Sequence, residues 1–169
     1  MNRGKAVNFD VSAIDDTHDI PQPHINRRPE IIHGLRNLIQ NAVDFADTQV
    51  WIDVQWSDTE ITLRITDDGD GFSQQVFNRI GDPFVKRRKS QTDQQKRPGY
   101  EGMGLGLFIA KTLLERSGAT LRFSNGSDPA IETSTPLNRS GAIVEVSWLA
   151  SKIISNKTVS LGKNEQFDV

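Results

Sequence analysis

Apolar and polar positions divide the chain into strands of period two, two long helices and several polar connections. Residues 5–11 (KAVNFDV) alternate, as a strand with one buried face does. Residues 15–23 are polar and broken by prolines, which predicts a loop. From Pro29 to Ala46 the period becomes helical, with proline well placed in the first turn. At about 100° per residue, Ile31, Leu35, Leu38, Ile39, Ala42, Val43, Phe45 and Ala46 share one broad face that must be core. His33, Asn37, Asn41 and Asp44 form a narrower polar stripe opposite, so the two amides stand in a row. Val50–Trp56 and Ile61–Ile65 alternate again across a Ser57-Asp58-Thr59 turn and predict a hairpin. A short helix is expected over 72–80. A longer one runs from Met103 to Ser117 and closes at Gly118, a natural C′ residue. Thr120–Ser124 and Ala142–Trp148 read as a final strand pair around a polar connection, with no internal repeat.

One segment breaks this pattern. Residues 85–100 (VKRRKSQTDQQKRPGY) carry six basic residues, one acid and almost nothing to bury. A stretch of that length inside a compact domain is expected to be a lid or a disordered loop, here about 81–101. Residues 150–169 lack periodicity and are expected to be a tail, leaving 1–149 as a single domain.

Composition narrows the function classes. At 169 residues, with 36% hydrophobic and 25% charged residues, the chain has enough material for one real core. A net charge of −2 gives no basic field for nucleic acid. The absence of cysteine removes disulfides, thiolate zinc sites and thiol catalysis, and fits a reducing compartment. No apolar run approaches the roughly 20 residues that span a bilayer, so the expectation is a soluble, cytoplasmic chain.

Three elements carry candidate chemistry. The neutral amide oxygen of Asn41 suits Mg²⁺, which takes few protein ligands and keeps waters and phosphate oxygens. Asn37, one turn earlier, is placed for a bound water or a phosphate oxygen. Asp67 follows a strand and precedes Gly69 and Gly71, and a carboxylate fixed there accepts the exocyclic amine of adenine, at a position where guanine offers a carbonyl instead. The DDGDG run resembles part of a calcium loop, but the first acidic ligand is missing and Phe77 stands where the closing glutamate belongs. Gly102, Gly104 and Gly106, with Leu105 and Leu107, open a helix whose N-terminal amides would bind phosphate. A polar basic loop precedes them and Leu107 replaces the last glycine of G-x-G-x-x-G, so a Rossmann site does not fit, and no P-loop motif occurs. Lys86, Arg87, Arg88 and Lys89 are a cation source that could close on a γ-phosphate. Taken singly, each element has a plainer reading: solvated helix polar groups, an acidic turn, a glycine-rich turn, a charged loop.

Their order is the informative part. H-x-x-x-N-x-x-x-N-A, then D-x-G-x-G, a phenylalanine segment, a basic stretch and G-x-G-x-G-L together resemble the ATP-binding domain of sensor histidine kinases. These belong to the superfamily that includes gyrase, Hsp90 and MutL. The string from Gly34 to Ala46 is similar to the RegB/PrrB redox-responsive subfamily. The resemblance implies an α+β fold, a two-layer sandwich with helices over a mixed sheet and a mobile ATP lid. It implies ATP and Mg²⁺ as cofactors, with Asn41 as the metal ligand and Asn37 as a catalytic or metal-positioning residue. Asp67 becomes the adenine reader, with Gly69 and Gly71 shaping its pocket and Phe77 and Phe84 in the segment hinged to the lid. Gly104 and Gly106 deliver amides to phosphate. The basic residues Lys86, Arg87 and Arg88 assist transfer.

Two departures from the family pattern stand out. Asp44 occupies a position where many relatives carry a lysine, which raises the demand on the lid cations. The phosphoacceptor histidine is also missing: His18 and His24 sit in a proline-broken loop rather than on a helix. The implied partners are therefore a dimerisation and phosphoacceptor domain outside this chain and a response regulator. A parent kinase anchored in the bacterial inner membrane, with the fragment itself monomeric, completes the expectation. The competing functions are an ATPase of the gyrase, Hsp90 or MutL kind, a serine kinase acting on an anti-sigma antagonist, and a degenerate module that only binds nucleotide. The ATPase reading suffers because those relatives use a glutamate base where Asn37 stands, and an amide cannot take a proton from water.

Overall fold

The computed structural model describes residues 4–14, 20–81, 100–128 and 139–155, without the side chains of residues 81 and 100–103. Five strands form one sheet: β1 (Ala6–Ala13), β2 (Gln49–Trp56), β3 (Glu60–Asp67), β4 (Thr120–Asn125) and β5 (Ala142–Leu149), in the order β1-β2-β3-β5-β4. β1 and β2 are parallel, and every other neighbouring pair is antiparallel. A parallel pair needs a long crossover, and helix α1 (Pro29–Phe45) supplies it. The sheet is therefore mixed, as expected.

Helices α1, α2 (Gln74–Gly81) and α3 (Tyr100–Arg116) cover one face. Ile31, Leu38 and Ala42 of α1 and Leu107, Ala110 and Leu114 of α3 join Val50, Ile52, Ile65, Val144 and Val146 in one core. The helices pack closely because Gly34 of α1 has no side chain: a Cβ there would lie 2.5 Å from Leu114 Cγ. The opposite face is polar. Asp10, Asp53, Arg64, Glu145 and Arg122 form one register row across all five strands, and Arg64 Nη2 meets Glu145 Oε2 at 2.8 Å. The result is the two-layer α+β sandwich that the resemblance implied.

The end of α3 follows its sequence signal. Gly118 adopts φ of 94°, donates its N–H to Glu115, and is followed by Ala119 donating to Leu114. That pair of bonds is the Schellman arrangement, which uses the left-handed residue to satisfy otherwise free carbonyls.

Two boundaries are corrected. Chain order continues past 149: Ala150–Ile153 form a short helix, α4, with Ala150 and Ile153 buried. Ile154 pairs with Ile25, and Ser155 donates its N–H to the His24 carbonyl. Two core contacts in so short a stretch leave no readable period. α3 also begins at Tyr100, three residues before the expected Met103, so Gly102 joins Gly104 and Gly106 inside the helix.

Candidate functional site

The site lies at the C-terminal end of β3, between α1 and α3. Asp67 is the last residue of β3 and is only 2% exposed. Its Oδ1 accepts the N–H of Gly69 at 2.9 Å and that of Ala142 at 3.0 Å, while its carbonyl accepts the N–H of Gly141. Oδ2 accepts no hydrogen bond among the described residues, which leaves an acceptor for a ligand donor. Burial pushes the Asp67 carboxyl above the ordinary 3.8; the amides of Gly69 and Ala142 pull it partly back, and the charges of Asp68 and Asp47 add to the rise.

Asp68 does a different job that the sequence did not announce. Its carboxylate accepts the backbone N–H groups of Asp47, Thr48 and Gln49 and the hydroxyl of Thr48, pinning the α1–β2 connection to the end of β3. Burial favours its neutral form, but those hydrogen bonds outweigh it and hold its pKa below 3.8. Glycine is needed at both following positions. A Cβ on Gly69 would fall on the Phe45 carbonyl, and Gly71 takes φ of 78°, open cheaply only to glycine. Asn125 fixes the turn beyond it by accepting the Phe72 N–H at 2.7 Å and donating to the Phe72 carbonyl at 2.9 Å.

Asn41 faces Asp67 across a mostly apolar cleft of about 270 Å³, counting its open mouth. Leu38, Phe45, Ile65, Phe72, Leu107 and Val144 supply apolar walls. Asn41 donates its Nδ2 to the Asn37 carbonyl at 3.0 Å, one turn back, leaving Oδ1 with no hydrogen bond among the described residues. A neutral oxygen left without a partner among the described residues fits a magnesium ligand. Asn37 and Asn41 are half-buried, whereas His33 and Asp44 at the ends of the stripe are exposed. Gln40 donates to Asp44 at 2.8 Å. Lys5 donates to the carbonyls of Val43 and Asp44, placing a cation at the C-terminal end of α1 where the helix dipole favours one.

Gly106 brings the third element to the first: a Cβ there would lie 3.2 Å from Asn41 Nδ2. Gly104 gives the same room to Arg79 of α2, whose Cδ would lie 2.8 Å from its Cβ. Since α3 starts at Tyr100, the amides of Gly104 and Gly106 lie past the first free N–H groups. Both glycines provide close approach to a neighbouring side chain. Gly102 lies in the first turn of α3. Leu107 is buried against the cleft, but Leu105 is 66% exposed and does not line it. Phe77 packs edge-on against Phe72, with ring centroids 5.6 Å apart. Phe84, Lys86, Arg87 and Arg88, and the expected lid, lie outside the described residues.

Residues 26–152, which include all three elements, match the family described as Histidine kinase-, DNA gyrase B-, and HSP90-like ATPase. The chain belongs to that family. The domain is 54% identical over 164 residues to Sensor histidine kinase RegB of Cereibacter sphaeroides, covering 97% of this chain and 35% of that protein. It is 35% identical over 112 residues to an uncharacterized sensor-like histidine kinase of Rhizobium meliloti, covering 64% of this chain and 20% of the other. The chain thus spans about a third of the length of the RegB relative. Among solved structures, the ATPase-family domain matches a mycobacterial sensor histidine kinase, MprB, at TM-score 0.50 and 22% identity, covering 85% of this chain and 81% of that one. It matches the catalytic domain of histidine kinase ThkA at 0.53 and 18%, covering 85% and 78%. Those two likenesses show the fold. The expected resemblance to RegB-type kinases is borne out.

Proposed function

We propose that this chain is the Mg-ATP-binding catalytic domain of a two-component sensor histidine kinase. The observation that carries the reading is that Asp67 and Asn41 line one cleft, with Oδ2 of the first and Oδ1 of the second accepting no hydrogen bond among the described residues and Gly106 packed close to Asn41. Asp67 would accept the adenine amine while Leu107 and the β3 and β5 side chains exclude water from the base. Asn41 would hold Mg²⁺, which would neutralise charge on the phosphate chain. Asn37, half-buried one turn back on α1, would orient a water or a phosphate oxygen.

In the transfer itself, the bond from the γ-phosphorus to the β,γ-bridging oxygen breaks, a bond to a histidine nitrogen forms, and ADP leaves. The domain's work is positioning and charge balance rather than proton abstraction. The nucleophile would come from a dimerisation domain outside this chain, and a response regulator would receive the phosphoryl group. Support for nucleotide occupancy comes from a full-length structural relative, ShkA, which was solved in complex with AMPPNP. The lid cations Lys86, Arg87 and Arg88 remain part of the proposal, as do a monomeric domain and a membrane-anchored parent. Among the described residues, no helix is long and apolar enough to cross a membrane.

The test is incubation of the domain with γ-labelled ATP and a separately supplied histidine-bearing helical pair. Acid-labile, base-stable label on that partner supports the reading. Rapid phosphate release to water with no label on the partner would favour the ATPase alternative. Label on a serine would favour the serine-kinase alternative.

A further inference from the structure

The amides that hold Asp67 come from Gly141 and Ala142, at the start of β5, and two residues earlier stands a side chain anchored far from them. Arg139 reaches past β3 to β2 on the polar face of the sheet. Its Nη1 meets Asp53 Oδ2 at 2.6 Å, and its guanidinium carbon lies 5.1 Å from the centre of the Trp51 ring. Trp51 is only 7% exposed although α1, α2 and α3 lie on the other face. Thr66, its register partner on β3 and the residue before Asp67, is 1% exposed. A planar guanidinium does both jobs at once, pairing in plane with a carboxylate and stacking on an indole.

The backbone beside Arg139 has little freedom. A Cβ on Gly126 would strike the Arg139 carbonyl, and a Cβ on Gly141 would strike Asp67 Oδ1. The Gly126 N–H also donates to the Gly141 carbonyl at 2.8 Å. Anchoring Arg139 on β2 therefore fixes the approach of residues 140–142 to Asp67 and, through it, the direction of Oδ2.

We propose that Arg139 is a positioning residue for base recognition: clamped by Asp53 and Trp51, it holds the Gly141 and Ala142 amides against Asp67, so that the free carboxylate oxygen is aimed at the exocyclic amine of adenine. This rests on the assignment of Asp67 as the adenine reader.

The experiment compares ADP with inosine diphosphate (IDP), which replaces that amine with a carbonyl and keeps the phosphates. Calorimetric affinities for both are measured for the parent domain and for Arg139→Lys, Arg139→Gln and Arg139→Ala. The parent is expected to prefer ADP. The preference should shrink in the order Arg, Lys, Gln, Ala, with the alanine variant losing about threefold to tenfold of it, the scale of one partly buried cation–π and ion-pair contact. Affinity for IDP should stay near the parent value. Lysine keeps the ion pair but not the stack, so partial retention is the specific signature. If the alanine variant does not fold, the lysine and glutamine variants decide the matter by the same ratio. Equal losses for both nucleotides, or an unchanged preference in every folded variant, overturns the proposal. A parent domain with no preference for ADP over IDP instead overturns the assignment of Asp67 itself.

Discussion

Replacing Asp67 by asparagine separates its two oxygens. In the folded protein Oδ1 holds the N–H groups of Gly69 and Ala142 at 2.9 and 3.0 Å, and the asparagine carbonyl can keep both. The change falls on the other side of the carboxyl, where an acceptor becomes an NH₂ donor facing the amine of adenine. A hydrogen bond to a charged group is worth about 1.5–3 kcal/mol, so ADP affinity should drop by about 10- to 150-fold at 1.4 kcal/mol per decade. Donor facing donor can only add to that loss. IDP presents a carbonyl at the same place and should bind the variant at least as well as it binds the parent. Stability should not suffer. Burial already holds the Asp67 pKa above the ordinary value, so the charged form is the disfavoured one and a neutral isostere relieves that penalty. Paired calorimetric titrations and a thermal melt read all three effects. A variant that keeps the parent's ADP affinity would refute the assignment. So would equal losses for ADP and IDP with a lowered melting temperature, because that pattern marks general damage rather than a misread base.

Asn41→Ala should abolish the Mg²⁺-dependent part of ADP affinity while leaving metal-free binding nearly intact, as shown by titrations with and without the ion. Gly106→Ala should weaken nucleotide binding because its Cβ would press on the Asn41 amide, whereas Gly34→Ala should lower stability by about 1–3 kcal/mol through overpacking against Leu114; chemical denaturation separates the two. On acidification, ADP affinity should fall as pH drops through the raised pKa of Asp67, because a protonated Oδ2 no longer offers a plain acceptor. The stability signs are opposite for the two neighbours. Asp67, with its folded pKa above the unfolded value, has its ionisation penalty fully present above the folded pKa and relieved as pH falls through it. Asp68, with its folded pKa lowered, contributes stability that is full above 3.8 and lost as pH falls through the folded value. Asp68→Ala should therefore flatten the acid limb of the stability profile and lower the melting temperature near neutral pH.

The local signals in the sequence were strong where chemistry and period coincide. The α1 wheel separated Leu38 and Ala42 from Asn37 and Asn41 because a helix must bury one stripe, and Asp67-x-Gly-x-Gly announced a carboxylate beside a close approach. What could not be read depends on residues distant along the chain. β1 and β2 pair in parallel across a 35-residue gap (Ala13 to Gln49) that includes α1, and nothing in residues 6–13 encodes that partner. Gly34 looks like a weak spot in a helix until Leu114 is set against it. The anchoring roles of Asp68, Asn125 and Arg139 likewise exist only once β2, β3, β4 and β5 are side by side. The glycines of α3 were legible as the opening of a helix, but the room that Gly106 and Gly104 leave for Asn41 and Arg79 exists only once α1 and α2 are packed against it. The last turn at 150–153 hid because four residues give no period, though two of them complete the core.

The most direct test of the central claim is calorimetric titration of the domain with ADP and with GDP, each with and without Mg²⁺. The account predicts binding of ADP, little or none of GDP, and a gain in ADP affinity when the metal is present. Failure to bind either nucleotide, or equal binding of both, would contradict the assignment of Asp67 and Asn41 to an adenine-nucleotide site and with it the proposed kinase function.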